Sequence, residues 1–109
     1  MKEISMAVSR ISGRSGRSCY FVLCCAVQAA IQAMPGPLNM TEICCQAGQL
    51  CGKRERAVCK ALSRAAKDIW ENGDRQELAV IMRHMPSEKP SPKDLVIALA
   101  QTLWCEVNA

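Results

Sequence analysis

The chain is predicted to be all-α: about six helices in a compact orthogonal bundle containing a helix-turn-helix. Three observations predict it. No stretch alternates polar and apolar residues with period two. Strong breakers cut the chain into pieces of helix length: Pro35-Gly36-Pro37, Gly52, Asn72-Gly73, and the prolines Pro86 and Pro90. Residues 53–70, KRERAVCKALSRAAKDIW, sort onto two sides when each is advanced by about 100°.

Composition sets the frame. The 109 residues are expected to form one domain, 1–109, around a single core that needs no staples. Half the residues are apolar, 22% are charged and the mean hydropathy is zero, which is globular rather than disordered. There are two Trp, one Tyr and one Phe, so the core must be built mainly of Ala, Val, Ile, Leu, Met and Cys. Side chains of that kind suit close helix–helix packing.

The elements follow in order. A weakly amphipathic first helix is expected over residues 3–11. Residues 12–18, SGRSGRS, form a loop in which backbone N–H groups with Arg14 or Arg17 can grip phosphate, although the spacing is not that of a P-loop. The second helix, 19–34, is the most apolar run; it holds Gln28 and Gln32 and is too short to span a bilayer, so it reads as a core helix. Pro35 stops it. The third starts near Asn39 or Thr41, with Glu42 three residues after Asn39 as in a capping box, and ends at Cys51-Gly52. The fourth is the basic helix, about 54–71, stopped by Asn72-Gly73. Asp74 caps a fifth helix that runs to about Met85 and carries His84 at its surface, with Met82 and Met85 as packing residues. Ser91 and Pro92 supply the N-cap and first position of the sixth, whose inner face is lined by Leu95, Leu99 and Leu103.

The fourth helix carries the functional signal. Val58, Ala61, Leu62, Ala65 and Ile69 fall on one side, and Lys53, Arg56, Lys60, Arg64 and Lys67 fall opposite. Residues 53–67 contain six Lys or Arg and one Glu, a charge of +5, against +4 for the whole chain. The positive charge is therefore local, and ordinary surface helices interleave acids with bases. Helix, tight turn, basic amphipathic helix is the order of a helix-turn-helix DNA reader. Trp70 and Trp104 are expected to pack in or beside the core.

Other classes have less support. Eight cysteines suggest disulfides, but residues 1–10 hold Lys2, Glu3 and Arg10 with no apolar segment, so no export signal is expected. Cys24-Cys25 and Cys44-Cys45 are adjacent pairs that diverge on a helix. The thiols are expected to serve as small hydrophobes in a reducing cytosol. No CxxC spacing and a single His84 disfavour zinc, and no cofactor is expected. No Ser/His/Asp set, metal-ligand spacing or phosphate-binding glycine loop marks an enzyme. Cys59, beside Arg56 and Lys60, is a candidate redox-sensitive thiol.

The residues just described resemble the C-terminal effector domain of the stage-zero sporulation protein A family, response regulators that initiate sporulation. ISMAVSRISGRSGRSCYFVLCCAV resembles that family's first helix, loop and second helix, with Tyr20, Leu23 and Ala26 in matching places. Residues 39–70 align without a gap onto its helix-turn-helix, including Val58, Ala61, Leu62, Ala65 and Trp70, followed by a family-like ENGD. KPSPKDLVIALAQTL resembles the segment before the last helix and that helix. The resemblance implies a recognition helix in the major groove and tandem copies of the domain on DNA. The family's usual parent also has an N-terminal receiver domain; these 109 residues contain none. At the positions where the family displays a Glu, an Arg and an Arg-His pair, this chain has Cys59, Lys60, Ser63 and Arg64, so base reading is expected to differ while phosphate grip is kept by Lys53, Arg54 and Arg56.

The expected function is therefore sequence-specific binding of double-stranded DNA in transcription regulation, in the cytoplasm at the bacterial nucleoid. The candidate contacts are Lys53, Arg54, Arg56, Lys60, Ser63, Arg64 and Lys67 with Arg14 and Arg17, and the partners are DNA, a second copy of the domain on it, and RNA polymerase, with no membrane. The alternative is a degenerate effector domain that works as a protein-interaction module with another regulator or RNA polymerase.

Overall fold

The structure is a computed structural model, and it describes residues 2–13 and 18–108. Among them lie six helices and no strand: α1 (Lys2–Ile11), α2 (Ser18–Ala33), α3 (Met40–Cys51), α4 (Glu55–Asn72), α5 (Arg75–Met82) and α6 (Pro92–Asn108). The all-α prediction holds.

Three of the six helix starts are explained by local chemistry. The Asn39 side chain accepts from the backbone N–H groups of Thr41 (2.8 Å) and Glu42 (3.4 Å). Asp74 does the same for Gln76 (2.9 Å) and Glu77 (3.1 Å), and the Ser91 hydroxyl accepts from the N–H of Asp94 (3.1 Å). Each cap satisfies donors that a helix N-terminus otherwise leaves open.

The expectation for the fifth helix needs correction. It ends at Met82, three residues early, because Arg83 turns into the left-handed region at φ 65°. A single residue in that conformation ends the i to i−4 ladder, and Pro86 then biases Met85 toward an extended backbone. His84 lies beyond the helix, exposed, with its Nδ1 3.0 Å from the carbonyl oxygen of Met82. Met82 packs against the core as expected, whereas Met85 is exposed.

α2 is the central element and packs against α1, α3, α4 and α6. Cys19, Tyr20, the run Val22 to Val27, Ala29 and Ala30 are all buried. A helix that is apolar all round belongs inside. Around it the core takes Val8 and Ile11 from α1, Ile43 and Ala47 from α3, Val58, Leu62, Ala65 and Ile69 from α4, Leu78 from α5, and Leu95, Leu99 and Leu103 from α6. Alanines at Ala26, Ala29 and Ala30 have no exposure, so neighbouring helices approach α2 closely.

α3 and α4 are joined by the three residues Gly52, Lys53 and Arg54. Gly52 is left-handed (φ 71°), a conformation that glycine adopts without a side-chain penalty. The Lys53 N–H returns to the carbonyl of Gly48 at 2.9 Å, closing the end of α3. The turn lies so close that a Cβ at Gly48 would stand 2.5 Å from the Lys53 carbonyl oxygen. Gly48 thus sets how sharply the chain passes from α3 into α4.

Candidate nucleic-acid interface

α4 has two faces. Val58, Leu62, Ala65, Ala66 and Ile69 are buried against the other helices. Arg56, Lys60, Ser63, Arg64 and Lys67 are exposed. Four of these, Arg56, Lys60, Arg64 and Lys67, recur at steps of three and four and so line up along the outer side. Among the described residues, none of these side chains enters a hydrogen bond or ion pair with the rest of the chain. Their charge is therefore directed to solvent.

Two candidate residues lie off that helical line. Lys53 falls in the turn rather than on the helix, and Arg54 is the N-cap, with an extended backbone (φ −73°, ψ 153°) and no side-chain cap bond. The helical-wheel placement of Lys53 is corrected accordingly: Gly52 and the return to Gly48 delay the helix until Glu55. Both side chains are exposed at the N-terminal end of the stripe. Glu55 opens the helix, where a carboxylate suits the dipole, and Glu71 closes the exposed face near its end. Between them, from Arg56 to Lys67, the face holds no acid.

Arg14 and Arg17 lie outside the described residues. The residue before them, Gly13, is held firmly. Its N–H donates to the Tyr20 hydroxyl at 3.2 Å, and a Cβ on it would come 2.5 Å from the Cβ of Asn72. The Tyr20 hydroxyl in turn donates to Oδ2 of the buried Asp68, and Asn72 Nδ2 donates to the other oxygen, Oδ1, at 2.8 Å. This network locks the end of α1 and the start of α2 to the last turns of α4. Burial, together with the bond to Asp68, pushes the Tyr20 hydroxyl well above the ordinary tyrosine range.

Reading α4 by period alone missed Asp68. The residue falls in neither of the two sets of α4 residues drawn from the sequence, and it is buried with a hydrogen-bond partner 48 residues away. Arg75 was also missed. Its guanidinium carbon lies 3.9 Å from the centroid of the Trp70 ring, and Nε and Nη2 donate to the Trp70 carbonyl at 3.2 and 3.1 Å. An arginine that caps α4 and stacks on its aromatic residue stiffens the far end of the helix. Trp70 and Trp104 are both half-buried, and Trp70 packs against the core.

All eight cysteines are free thiols. Burial pushes Cys25 up to about 11 and Cys44 up to about 12, and it raises Cys24 as well. Cys59 is not isolated on the cationic face: its Sγ stands 3.8 Å from Sγ of Cys44 on α3. Among the described residues, no group of His, Cys, Asp and Glu is placed to hold a metal ion, and no helix is long and apolar enough to cross a membrane.

Comparison with protein-family models, with curated proteins and with solved structures finds no match to this chain.

Proposed function

We propose that the protein binds double-stranded DNA with sequence preference and acts in transcription regulation, as the sporulation-regulator resemblance implies. α3, the Gly52–Arg54 turn and α4 are the helix-turn-helix, and α4 is the recognition helix that enters the major groove. Lys60, Ser63 and Arg64 read base edges, while Lys53, Arg54, Arg56 and Lys67 hold phosphates. Arg14 and Arg17 add phosphate contacts. A second copy on adjacent DNA and RNA polymerase are the further partners, and the bacterial nucleoid is the place of action.

The observation that carries this reading is the cationic face of α4, which holds no acid from Arg56 to Lys67 and, among the described residues, no partner for its basic side chains, opposite the buried face of the same helix. A helix with that division can be held rigidly by the core and still present its charge to a polyanion. Selection from a pool of random duplexes tests it, because the same experiment measures binding and recovers the site. A compact motif is expected, with log Kd rising against log salt at a slope of about 5 if all six basic groups of residues 53–67 reach phosphates. Absence of duplex binding at low salt overturns the proposal. Binding without any recoverable motif favours the interaction-module alternative.

A further inference from the structure

Cys44 and Cys59 sit on different helices, 15 residues apart in the chain, with their sulfurs 3.8 Å from each other. Cys44 is buried on α3 and Cys59 is exposed on α4. One sulfur is thus open to a small oxidant in solvent, and the other waits behind it, shielded. Cys59 also adjoins the cationic stripe, directly before Lys60 and one helical turn after Arg56.

We propose that Cys44 and Cys59 are a peroxide-oxidised modification site that closes an intramolecular disulfide between α3 and α4. In the first step the Cys59 thiolate attacks one oxygen of hydrogen peroxide. The O–O bond breaks, Cys59 becomes a sulfenic acid, and the other oxygen leaves as hydroxide and takes up a proton to form water. In the second step the Cys44 sulfur attacks the Cys59 sulfur. The S–S bond forms, the sulfenic hydroxyl leaves with the Cys44 thiol proton, and a second water is released. Overall, two thiols and one peroxide yield one disulfide and two waters.

The order of the steps follows from the environments. The exposed Cys59 meets the oxidant first, while burial pushes the Cys44 thiol up, so Cys44 gives up its proton only as its sulfur attacks the sulfenic acid. Closing the bond takes the sulfurs from 3.8 Å to about 2.05 Å, so the first turns of α4 are drawn toward α3. The consequence for DNA rests on the recognition-helix reading above: Arg56 and Lys60 move with that part of the helix, and base contacts tolerate displacements of only about 0.5 Å. The disulfide form is therefore the weaker binder.

The test uses the full chain carrying Cys45→Ser and Cys105→Ser, which removes two other exposed thiols. The protein is treated with a small excess of hydrogen peroxide, digested without reductant and mapped by mass. The expected product is a single cross-linked peptide pair joining Cys44 to Cys59, absent in Cys59→Ser and in Cys44→Ser, and restored to thiols by dithiothreitol. Because Cys44→Ser alters the core, circular dichroism accompanies both variants, and Cys59→Ser alone is decisive if Cys44→Ser unfolds. Recovery of Cys59 as sulfinic acid without the cross-link, or a cross-link joining any other pair of cysteines instead, overturns the site. Fluorescence anisotropy on the selected duplex then compares the two forms, with at least a tenfold loss expected on oxidation and recovery on reduction. Equal affinity of the two forms overturns the regulatory consequence and leaves the chemistry standing. Failure of the reduced form to bind any duplex overturns the DNA reading and does not touch the peptide map.

Discussion

α2 and α4 are packed neighbours of similar length, 16 and 18 residues, yet they use their surfaces in opposite ways. α2 carries no charged residue and is buried on nearly every side. α4 is buried on one side and studded with lysine and arginine on the other. The contrast teaches how the core and the surface charge are divided between helices in this fold. α2 holds the helices together and offers solvent little beyond Phe21 and its two ends. α4 takes its rigidity from that core, so its outer face is free to vary.

That division can be broken most strongly at α2. Leu23→Ala empties a position with no exposure and is expected to cost about 2–5 kcal/mol in urea unfolding, with little space for neighbours to close the cavity. A loss below about 1 kcal/mol would mean that α2 is not the organising helix.

The next effect is at the seam between α2 and α4. Tyr20→Phe leaves Asp68 with one of its partners gone and is expected to cost about 1–3 kcal/mol at neutral pH. Alkaline titration sharpens the point. The folded state holds the Tyr20 proton more tightly than the unfolded chain, so stability is fully present below pH 10 and declines as pH rises through and past that value. Cys25 and Cys44 have the same sign, and their decline begins near pH 9 and extends to about 11 and about 12. Tyr20→Phe should remove only the tyrosine part of the alkaline loss, as read by denaturation midpoints from pH 8 to 11.

A smaller effect is expected at the entrance to α3. Asn39→Ala removes the acceptor for two N–H groups and should cost about 1 kcal/mol by thermal or urea unfolding. The smallest effect on stability belongs to the outer face of α4. Lys60→Ala and Arg64→Ala should each change unfolding by less than about 0.5 kcal/mol. The same substitutions should weaken binding to the selected duplex by about 1–3 kcal/mol and relax its sequence preference, whereas Lys53→Ala should weaken all duplexes alike and lower the salt slope by about 1. A cationic face that matters only for solubility would leave every one of those binding measurements unchanged.

What could be read from the residues divides along a physical line. The caps at Asn39, Asp74 and Ser91 and the turn at Gly52 depend on neighbours within a few positions, so they were visible in the chain itself. The two faces of α4 followed from its period. The end of α5 was not visible, because Arg83 takes a left-handed backbone that no adjacent glycine or asparagine signals. Asp68 was not visible either: a carboxylate in a basic helix looks solvated until Tyr20 is brought to it by the packing of α2 on α4. The approach of Cys59 to Cys44 depends on the tight turn between their helices, so it too emerges only in three dimensions. The contacts assigned to Arg14 and Arg17 rest on the sequence alone.

The close fit where α1 meets the far end of α4 has a practical corollary. A methyl group on Gly13 would overlap Asn72, and one on Gly73 would overlap the carbonyl oxygen of Ile11. Bare backbone is pressed against bare backbone there, with Ile11 sealed beneath. Shortening the protein from its amino end to isolate the basic helix and its turn would strip away this lid, wet the Tyr20 hydroxyl and loosen the very element meant to be studied. Expression boundaries for any minimal binding fragment should start ahead of the opening helix.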